Sequence, residues 1–312
     1  MVPEKVIAVV VSYNRPALLG ECLDALATQT RPVDAVLVVD NASTDDAALV
    51  AARHPSHPHL VVLTQNIGGA GGFATGMDLA VRRFGATWVW LMDDDTIPTR
   101  TALDELLKAG AGYGTDVDIL ASKAVWIDGV EHPMNTARPR WRASSRDVSR
   151  ARAVGATPLR TTSFVSMLVS AQAVERVGLP VADFFIWNDD FEFSARVLRR
   201  GTGLYVPASQ VVHKTAAFAG TDIDPGDRFF FEVRNKVWTF SSPQVFSPLD
   251  WCAYVASTLR RWVTTWRKST NRARLLDAGL RGLRAGMTTR PRPTGEVLAQ
   301  AIPQAMPDQL RP

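Results

Sequence analysis

The chain has 312 residues, 46% of them hydrophobic, enough for a packed core and too many for a disordered protein. Its two cysteines, Cys22 and Cys252, match no disulfide or metal spacing and fit a reduced, cytosolic compartment. The net charge of +4 is uneven: residues 251–292 hold ten Lys or Arg against Asp277 alone, and 138–160 hold seven Arg against Asp147 alone, leaving −11 elsewhere. An acidic body with basic appendages points to an anionic partner: nucleic acid, phospholipid or lipid phosphate.

Met1–Lys5 lead straight into an apolar strand, so no signal peptide is expected, and no apolar run approaches the roughly 18 residues of a spanning helix. The first 110 residues then alternate strands and helices. Strands are predicted at Val6–Val11, Ala35–Val39, Leu60–Thr64 and Trp88–Met92, and helices at Ala17–Ala27, Asp45–Arg53 and Gly71–Phe84. Near-continuous Val, Ile and Leu predict strands buried on both faces, hence an α/β fold with a mostly parallel sheet between two helical layers. Further strands are predicted at Asp118–Ala124, Thr162–Val169 and Leu204–Val212, with residues 181–240 a less regular block rich in aromatics and acids. A helical, basic C-terminal extension follows from Trp251, and five prolines beyond Arg290 predict a frayed tail. The expected organisation is a catalytic domain over 1–240, an amphipathic docking segment over 241–290 and a Pro-rich tail over 291–312.

The predicted strand ends carry the chemistry. Asp93-Asp94-Asp95 follow the apolar run Trp88–Met92, at the sheet edge where open α/β folds bind ligands. Three adjacent acids repel, and a divalent cation carrying a diphosphate offsets that repulsion: carboxylate oxygens suit Mg²⁺ or Mn²⁺. The alternative is a solvated acidic turn before the helix predicted over Thr101–Ala109. Strand one ends in Ser12-Tyr13-Asn14-Arg15, strand two in Asp40-Asn41, strand three in Gln65-Asn66 and then Gly68-Gly69-Ala70-Gly71-Gly72. A strand-end Asp can bind a base or ribose, an Arg can clamp a phosphate, and a glycine run lets backbone approach an anion. That run lacks a following Gly-Lys-Ser/Thr, so it is no Walker loop; it also reads as a flexible turn.

A second centre is Trp187-Asn188-Asp189-Asp190-Phe191-Glu192, beside Phe184-Phe185-Ile186. Carboxylates among aromatics are desolvated, which raises their pKa and suits a general base; the same acids also suit a helix N-terminus. His213 follows the Leu204–Val212 strand and can complete a metal site, though a lone His is more often structural. Arg234 and Asn235, in Phe229-Phe230-Phe231-Glu232-Val233-Arg234-Asn235, are candidates for a phosphate.

In this order the motifs Val9–Pro16, Val38–Asp45, Asn66–Gly72, Trp90–Asp95, Trp187–Glu192 and His213 resemble the inverting family-2 glycosyltransferases of GT-A (Rossmann-like) fold, over about residues 5–240. The resemblance implies Asp40 on the uracil, and Ser12, Arg15, Asn66, Gly68, Gly69, Asp94 and Trp187 along the nucleotide sugar. It implies Mn²⁺ or Mg²⁺ held by Asp93, Asp95 and His213, catalysis by Asp190 or Asp189, and Glu192, Arg234 and Asn235 near the acceptor. The Gly-Gly-Ala-Gly-Gly-Phe and Trp-Asn-Asp-Asp-Phe-Glu runs are most similar to the branch that starts actinobacterial cell-wall galactan. That branch implies UDP-galactofuranose as donor and a polyprenyl-diphosphate-linked GlcNAc–rhamnose acceptor. Asn188 departs from the polymerising relatives, which carry Trp directly before Asp-Asp, and leaves both aspartates as candidates. Rhamnosyltransferases using dTDP-sugars share most of the motifs. A sugar-phosphate nucleotidyltransferase would carry a glycine-rich loop after strand one, where none stands before Gly20. A nucleic-acid binder leaves the ordered acids unexplained, so no nucleic-acid partner is expected.

Trp251, Val255, Leu259, Trp262 and Trp266 share one helical face, with Arg260, Arg261, Arg267 and Lys268 on the other. Leu276, Leu280, Leu283 and Met287 repeat the pattern. Tryptophans on an apolar stripe ringed by cations suit a peripheral helix on the cytoplasmic face of the plasma membrane. Packing on the catalytic domain or on a second copy, as a homo-oligomer, is the other reading.

Overall fold

Four Val- and Leu-rich segments form the parallel half of the sheet. In the computed structural model, which describes residues 4–114, 117–215, 218 and 224–302, they are β1 (Val6–Ser12), β2 (Ala35–Asp40), β3 (His59–Val62) and β4 (Trp88–Asp93). Helices α1 (Pro16–Ala27), α2 (Ala47–Arg53) and α3 (Gly68–Arg82) connect them. Strand β1 pairs in parallel with β2 and β4, with Ser12 opposite Asp40 and Val11 opposite Asp93. This register puts the polar strand ends side by side at one edge.

Past Asp93 the chain makes a short β5 (Thr96–Pro98), then α4 (Ala102–Tyr113), β6 (Ile119–Val125), β7 (Arg138–Pro139) and α5 (Ser145–Ala153). Next come β8 (Thr157–Thr161), β9 (Met167–Ser170), α6 (Ala171–Val177), α7 (Asp189–Val197) and β10 (Gly203–His213). The ten strands run β3-β2-β1-β4-β9-β6-β10-β8-β7, with β5 on β10. The sheet is mixed: β9 lies antiparallel between β4 and β6, while β6 and β10 are parallel. Of the strand predicted over Thr162–Val169 only the end is strand, as β9; β8 stops at Thr161, and the residues between form a turn in which Ser166 has a φ of 59°. Strand β8 turns away to pair with β10.

Both faces of the sheet are covered. Leu19, Leu23, Ala51, Leu103 and Leu106 of α1, α2 and α4 fill one side. Phe73 and Met77 of α3, Val174 of α6 and Phe193 and Val197 of α7 fill the other. The glycine run is no loop before α3; it forms the helix's first turns. A Cβ on Gly72 would stand 2.6 Å from Val11 Cγ1 and one on Gly76 2.2 Å from Val9 Cγ1, so these glycines let α3 lie directly on β1.

The remaining helices are α8 (Phe229–Ser241), α9 (Pro248–Lys268), α10 (Arg272–Thr288) and α11 (Thr294–Ala301). Helix α10 meets α8 through small residues: Cβ atoms on Gly282 and Gly286 would stand 2.5 Å from Phe230 O and 2.7 Å from Val237 Cβ. Its predicted stripe, Leu276, Leu280, Leu283 and Met287, is left exposed. The expected frayed tail is corrected over 294–301. There α11 buries Val297, Leu298 and Ala301 in the α3-side core, and Thr64 N donates to Ala301 O at 2.8 Å. The prolines flank this helix, Pro293 at its N-cap, and residues 303–312 lie outside the described residues. No helix among the described residues is long and apolar enough to cross a membrane.

Candidate active site

The aspartate triplet sits where β4 leaves the sheet, and each carboxylate has a different environment. Asp94 Oδ2 accepts from Ser12 Oγ at 3.0 Å and Tyr13 N at 3.1 Å, which ties the ends of β1 and β4 together. Arg15 Nη1 bridges Asp95 Oδ2 at 2.6 Å and Asp94 Oδ1 at 3.4 Å. Burial raises Asp94 to a pKa of about 6, and burial with its two neighbours pushes Asp93 well above the usual range. Burial works the same way on Asp95, but His213 and Arg15 outweigh it and hold that carboxyl below the usual range.

His213 reaches Asp95 through strand pairing. Antiparallel β5–β10 contact puts His213 opposite Thr96, and Lys214 N donates to Asp95 O at 2.8 Å. Its Nδ1 is 2.8 Å from Asn135 Oδ1 and its Nε2 3.1 Å from Asp95 Oδ1. With Nδ1–H donated to Asn135, the Nε2 lone pair faces the carboxylates, as in histidines that ligate metals.

Oxygen and imidazole donors from Asp93, Asp95 and His213 lie within 4.8 Å of one another. With His213 in that tautomer, Asp95 Oδ1, which is buried, has no hydrogen-bond donor beside it. A hard donor set with one oxygen left unsatisfied fits a divalent cation such as Mn²⁺ or Mg²⁺.

The second carboxylate pair is shaped by backbone strain. Phe185, Trp187 and Asn188 have φ of 64°, 66° and 67°, conformations that cost on the order of 1–3 kcal/mol each for residues with a Cβ. Asn235 supports them: its Nδ2 contacts the carbonyls of Phe184, Ile186 and Trp187 at 2.8–2.9 Å. Arg234 Nη2 donates to the carbonyls of Asp183 and Phe184 at 2.7 and 3.1 Å, its guanidinium packed 4.3 Å from the Trp238 ring. These contacts correct the expectation that Arg234 and Asn235 meet a phosphate: both side chains turn to the loop and neither lines the cleft. Glu192 is likewise no acceptor contact; it is buried against Arg196 at 2.7 Å.

The loop's outcome is α7, which starts with Asp189 and Asp190. Burial and the charge of Asp190 raise Asp189 to about 8. Burial also raises Asp190, although Lys236 and Arg138 face it. Asp190 Oδ1 accepts from Phe191 N at 2.6 Å, so one oxygen is fixed while the residue stays partly open to the cavity.

One cleft of about 1090 Å³ contains both centres. Of the predicted residues, Ser12, Arg15, Asn66, Gly68, Gly69 and Trp187 line it, together with Asp93, Asp94, Asp95, Asp189, Asp190 and His213. Asp40 does not. It is fully buried, its Oδ2 accepts from Ser43 N at 3.0 Å and its Oδ1 has no partner, while neighbouring Asn41 lines the cleft. The start of α3 is also engaged by protein: Gly68 N donates to Asn66 Oδ1 at 2.8 Å and Ala70 N to Phe185 O at 3.2 Å.

Sequence reasoning missed several lining residues. Asn135, Arg138, Glu232, Lys236 and Arg261 all reach the cleft. Glu232 stood in the quoted aromatic run, yet only the packing of α9 on α8 reveals its partners: Asn188 Nδ2 at 2.8 Å, Trp262 Nε1 at 3.0 Å and Arg261. Trp262 thus turns inward, edge-on to Phe229, whereas Trp251 and Trp266 are 42% and 41% exposed.

Residues 7–174 match the Glycosyl transferase family 2 profile. Galactofuranosyltransferase GlfT1 of Mycobacterium tuberculosis H37Rv is 31% identical over 261 residues, 77% of this chain and 83% of that protein. The GlfT1 of Mycolicibacterium smegmatis is 30% identical over 278 residues, 80% of this chain and 88% of that protein. The chain belongs to glycosyl transferase family 2.

Solved structures agree on the fold. S. aureus TarS 1-349 in complex with UDP matches with a TM-score of 0.58 at 14% identity, covering 95% of this chain and 91% of that one. The mannosyltransferase PcManGT of Pyrobaculum calidifontis, in complex with GDP-Man and Mn²⁺, matches at 0.53 and 21%, covering 95% and 78%. A longer TarS chain matches at 0.59 and 16%; the match covers 82% of this chain and 43% of that one. The architecture is GT-A.

Proposed function

We propose that this chain is an inverting, metal-dependent hexosyltransferase that moves galactofuranose from UDP-galactofuranose to a polyprenyl-diphosphate-linked GlcNAc–rhamnose acceptor. The observation that carries the reaction class is one cleft holding both a metal-type Asp93–Asp95–His213 cluster and the buried Asp189–Asp190 pair. The sugar assignment rests on the 31% identity to GlfT1.

Ser12, Arg15, Asn66, Gly68, Gly69 and Trp187 bind the nucleotide sugar, with Asp40 buried behind the base end. A divalent ion on Asp93, Asp95 and His213 would supply Lewis-acid stabilisation of the departing diphosphate. Asp190 accepts the proton of the acceptor hydroxyl. The hydroxyl's electron pair forms the new bond to the anomeric carbon from the face opposite the diphosphate, whose C–O bond breaks with its electrons. Inversion follows from that single displacement. Asp189, whose pKa burial and the charge of Asp190 push up to about 8, is the runner-up for the base.

Residues 1–240 act as the catalytic domain and 241–290 as a docking segment. The exposed Trp251, Trp266, Leu276, Leu280, Leu283 and Met287, among ten cations, lay α9 and α10 on the anionic cytoplasmic leaflet that carries the lipid acceptor. The deciding experiment is product mass from the purified chain with UDP-galactofuranose, a synthetic lipid-linked GlcNAc–rhamnose acceptor and Mn²⁺, with and without EDTA. A metal-dependent gain of one or two hexoses supports the reading. No gain, with turnover of a dTDP-rhamnose donor, moves the chain to a sister specificity.

A further inference from the structure

Cations gather in the cleft around Asp190, and two of them, Lys236 and Arg138, already offset the charge of that carboxylate. Arg138 on β7, Lys236 on α8 and Arg261 on α9 converge there from three separate elements. Arg138 and Lys236 share one aromatic ring: the guanidinium carbon is 5.2 Å and the ammonium nitrogen 3.3 Å from the centroid of Phe191. Tyr254 adds a second ring, 5.9 Å from Arg138.

Among the described residues the Arg138 guanidinium makes no hydrogen bond or ion pair, and the residue is exposed to the cleft. A guanidinium seated on two rings, with its N–H edge unpaired, is oriented for a phosphate. Lys236 is 2% exposed, and burial together with Arg261 and Arg138 depresses its basicity far below the usual lysine range. Asp190 and Glu232 offset part of that cost, and with three cations against two carboxylates a further anion beside the lysine is favoured. Glu232 pairs directly with Arg261 and acts through its charge on Lys236 and Arg138.

We propose that Arg138, Lys236 and Arg261 form a diphosphate subsite on the acceptor side of the cleft, separate from the metal cluster that faces the donor. This deepens the reading above and rests on it for the acceptor's chemistry: a glycan whose diphosphate lies a short distance from the attacking hydroxyl. The rings of Phe191 and Tyr254 hold Arg138, and Phe191 also holds Lys236, so recognition combines charge with an aromatic support.

The test is calorimetric titration of the full chain with farnesyl diphosphate in EDTA, repeated with saturating UDP and Mn²⁺. The wild type binds, and Arg138→Gln and Lys236→Met each weaken binding tenfold or more. Saturating UDP and Mn²⁺ leave the probe bound. Affinities within threefold of wild type in both variants overturn the subsite, as does absence of wild-type binding. Displacement of the probe by UDP assigns the anion to the donor's own diphosphate and equally overturns it. A matched melting curve and UDP titration confirm that each variant is folded. Because no sugar is transferred, failure of UDP-galactofuranose as donor leaves this result standing, and loss of the subsite leaves the donor assignment standing.

Discussion

Asn188 Nδ2 donates to Glu232 Oε2 at 2.8 Å, joining the residue before the aspartate pair to a carboxylate on α8. The same Glu232 accepts from Trp262 Nε1 at 3.0 Å and pairs with Arg261, both on α9. The left-handed φ of 67° at Asn188 is the conformation that asparagine tolerates better than most residues. One carboxylate therefore connects the proposed docking helix to the proposed base.

Removing that hub should loosen the aspartates without emptying the nucleotide end. Glu232→Ala is expected to lower kcat at least tenfold with UDP affinity within threefold of wild type, because a buried, charge-assisted bond is worth roughly 1.5–3 kcal/mol. Glu232→Gln keeps an acceptor for Asn188 and should recover part of the loss. Steady-state kinetics beside UDP calorimetry reads both; equal losses of kcat and UDP binding would count against a positioning role.

Asp190→Asn is expected to reduce transfer by roughly 10²–10⁴, the usual contribution of a general base, with UDP binding near normal. Asp189→Asn should cost less under the same assay. Lost UDP affinity in the Asp190 variant, or the larger loss at Asp189, would exchange their roles.

Asp189 also makes stability pH-dependent. Burial first, then Asp190, lifts its pKa from 3.8 to about 8, so between those values the folded chain holds a proton that the unfolded chain has released. Stability from this group is present below the unfolded pKa and declines as pH rises toward 8, by about 1.4 kcal/mol per pH unit at most. Melting of the metal-free protein at pH 5 and pH 8 should therefore show Asp189→Asn gaining more over wild type at pH 8. An equal difference at both pH values would remove Asp189 as the cause.

Loss of metal should silence the enzyme reversibly. EDTA is expected to stop transfer and Mn²⁺ to restore it, while Asp95→Asn and His213→Ala each weaken Mn²⁺ binding tenfold or more, in the range seen when a ligand or its support is lost. Titration followed by electron paramagnetic resonance measures this directly. Full activity in EDTA would dismiss the metal cluster.

Vesicle co-sedimentation checks the outer face of α9 and α10. Binding is expected for anionic vesicles, little for neutral ones, with a loss of at least tenfold in a Trp266→Glu, Leu280→Glu variant that still folds and still binds UDP. Undiminished sedimentation would place the lipid contact elsewhere.

The strand-end half of the cleft was readable because polar residues closing valine-rich runs are conspicuous. Ser12, Asp93 and Asn66 needed only the alternation of strand and helix to be placed on one edge. The base half was not readable in this way. Arg234, Asn235 and Glu192 are polar residues beside aromatics, and sequence cannot say whether such donors face a ligand or a carbonyl of their own chain. The strained backbone at 185–188 decides it, by presenting carbonyls to α8. The small-residue seam of α10 was hidden for a similar reason: a helical stripe of leucines looks like the buried side until the glycines opposite it are seen to touch α8.

Asn235 has a consequence for the order in which this protein is made. Every strand of the sheet is complete by His213, whereas the side chains that brace residues 183–187 lie at positions 234 and 235. A chain emerging N-terminus first has its metal-type cluster in hand some twenty residues before it has the means to hold its candidate base in position. The candidate base is thus braced only after the sheet is complete, by a helix that contributes no strand to it.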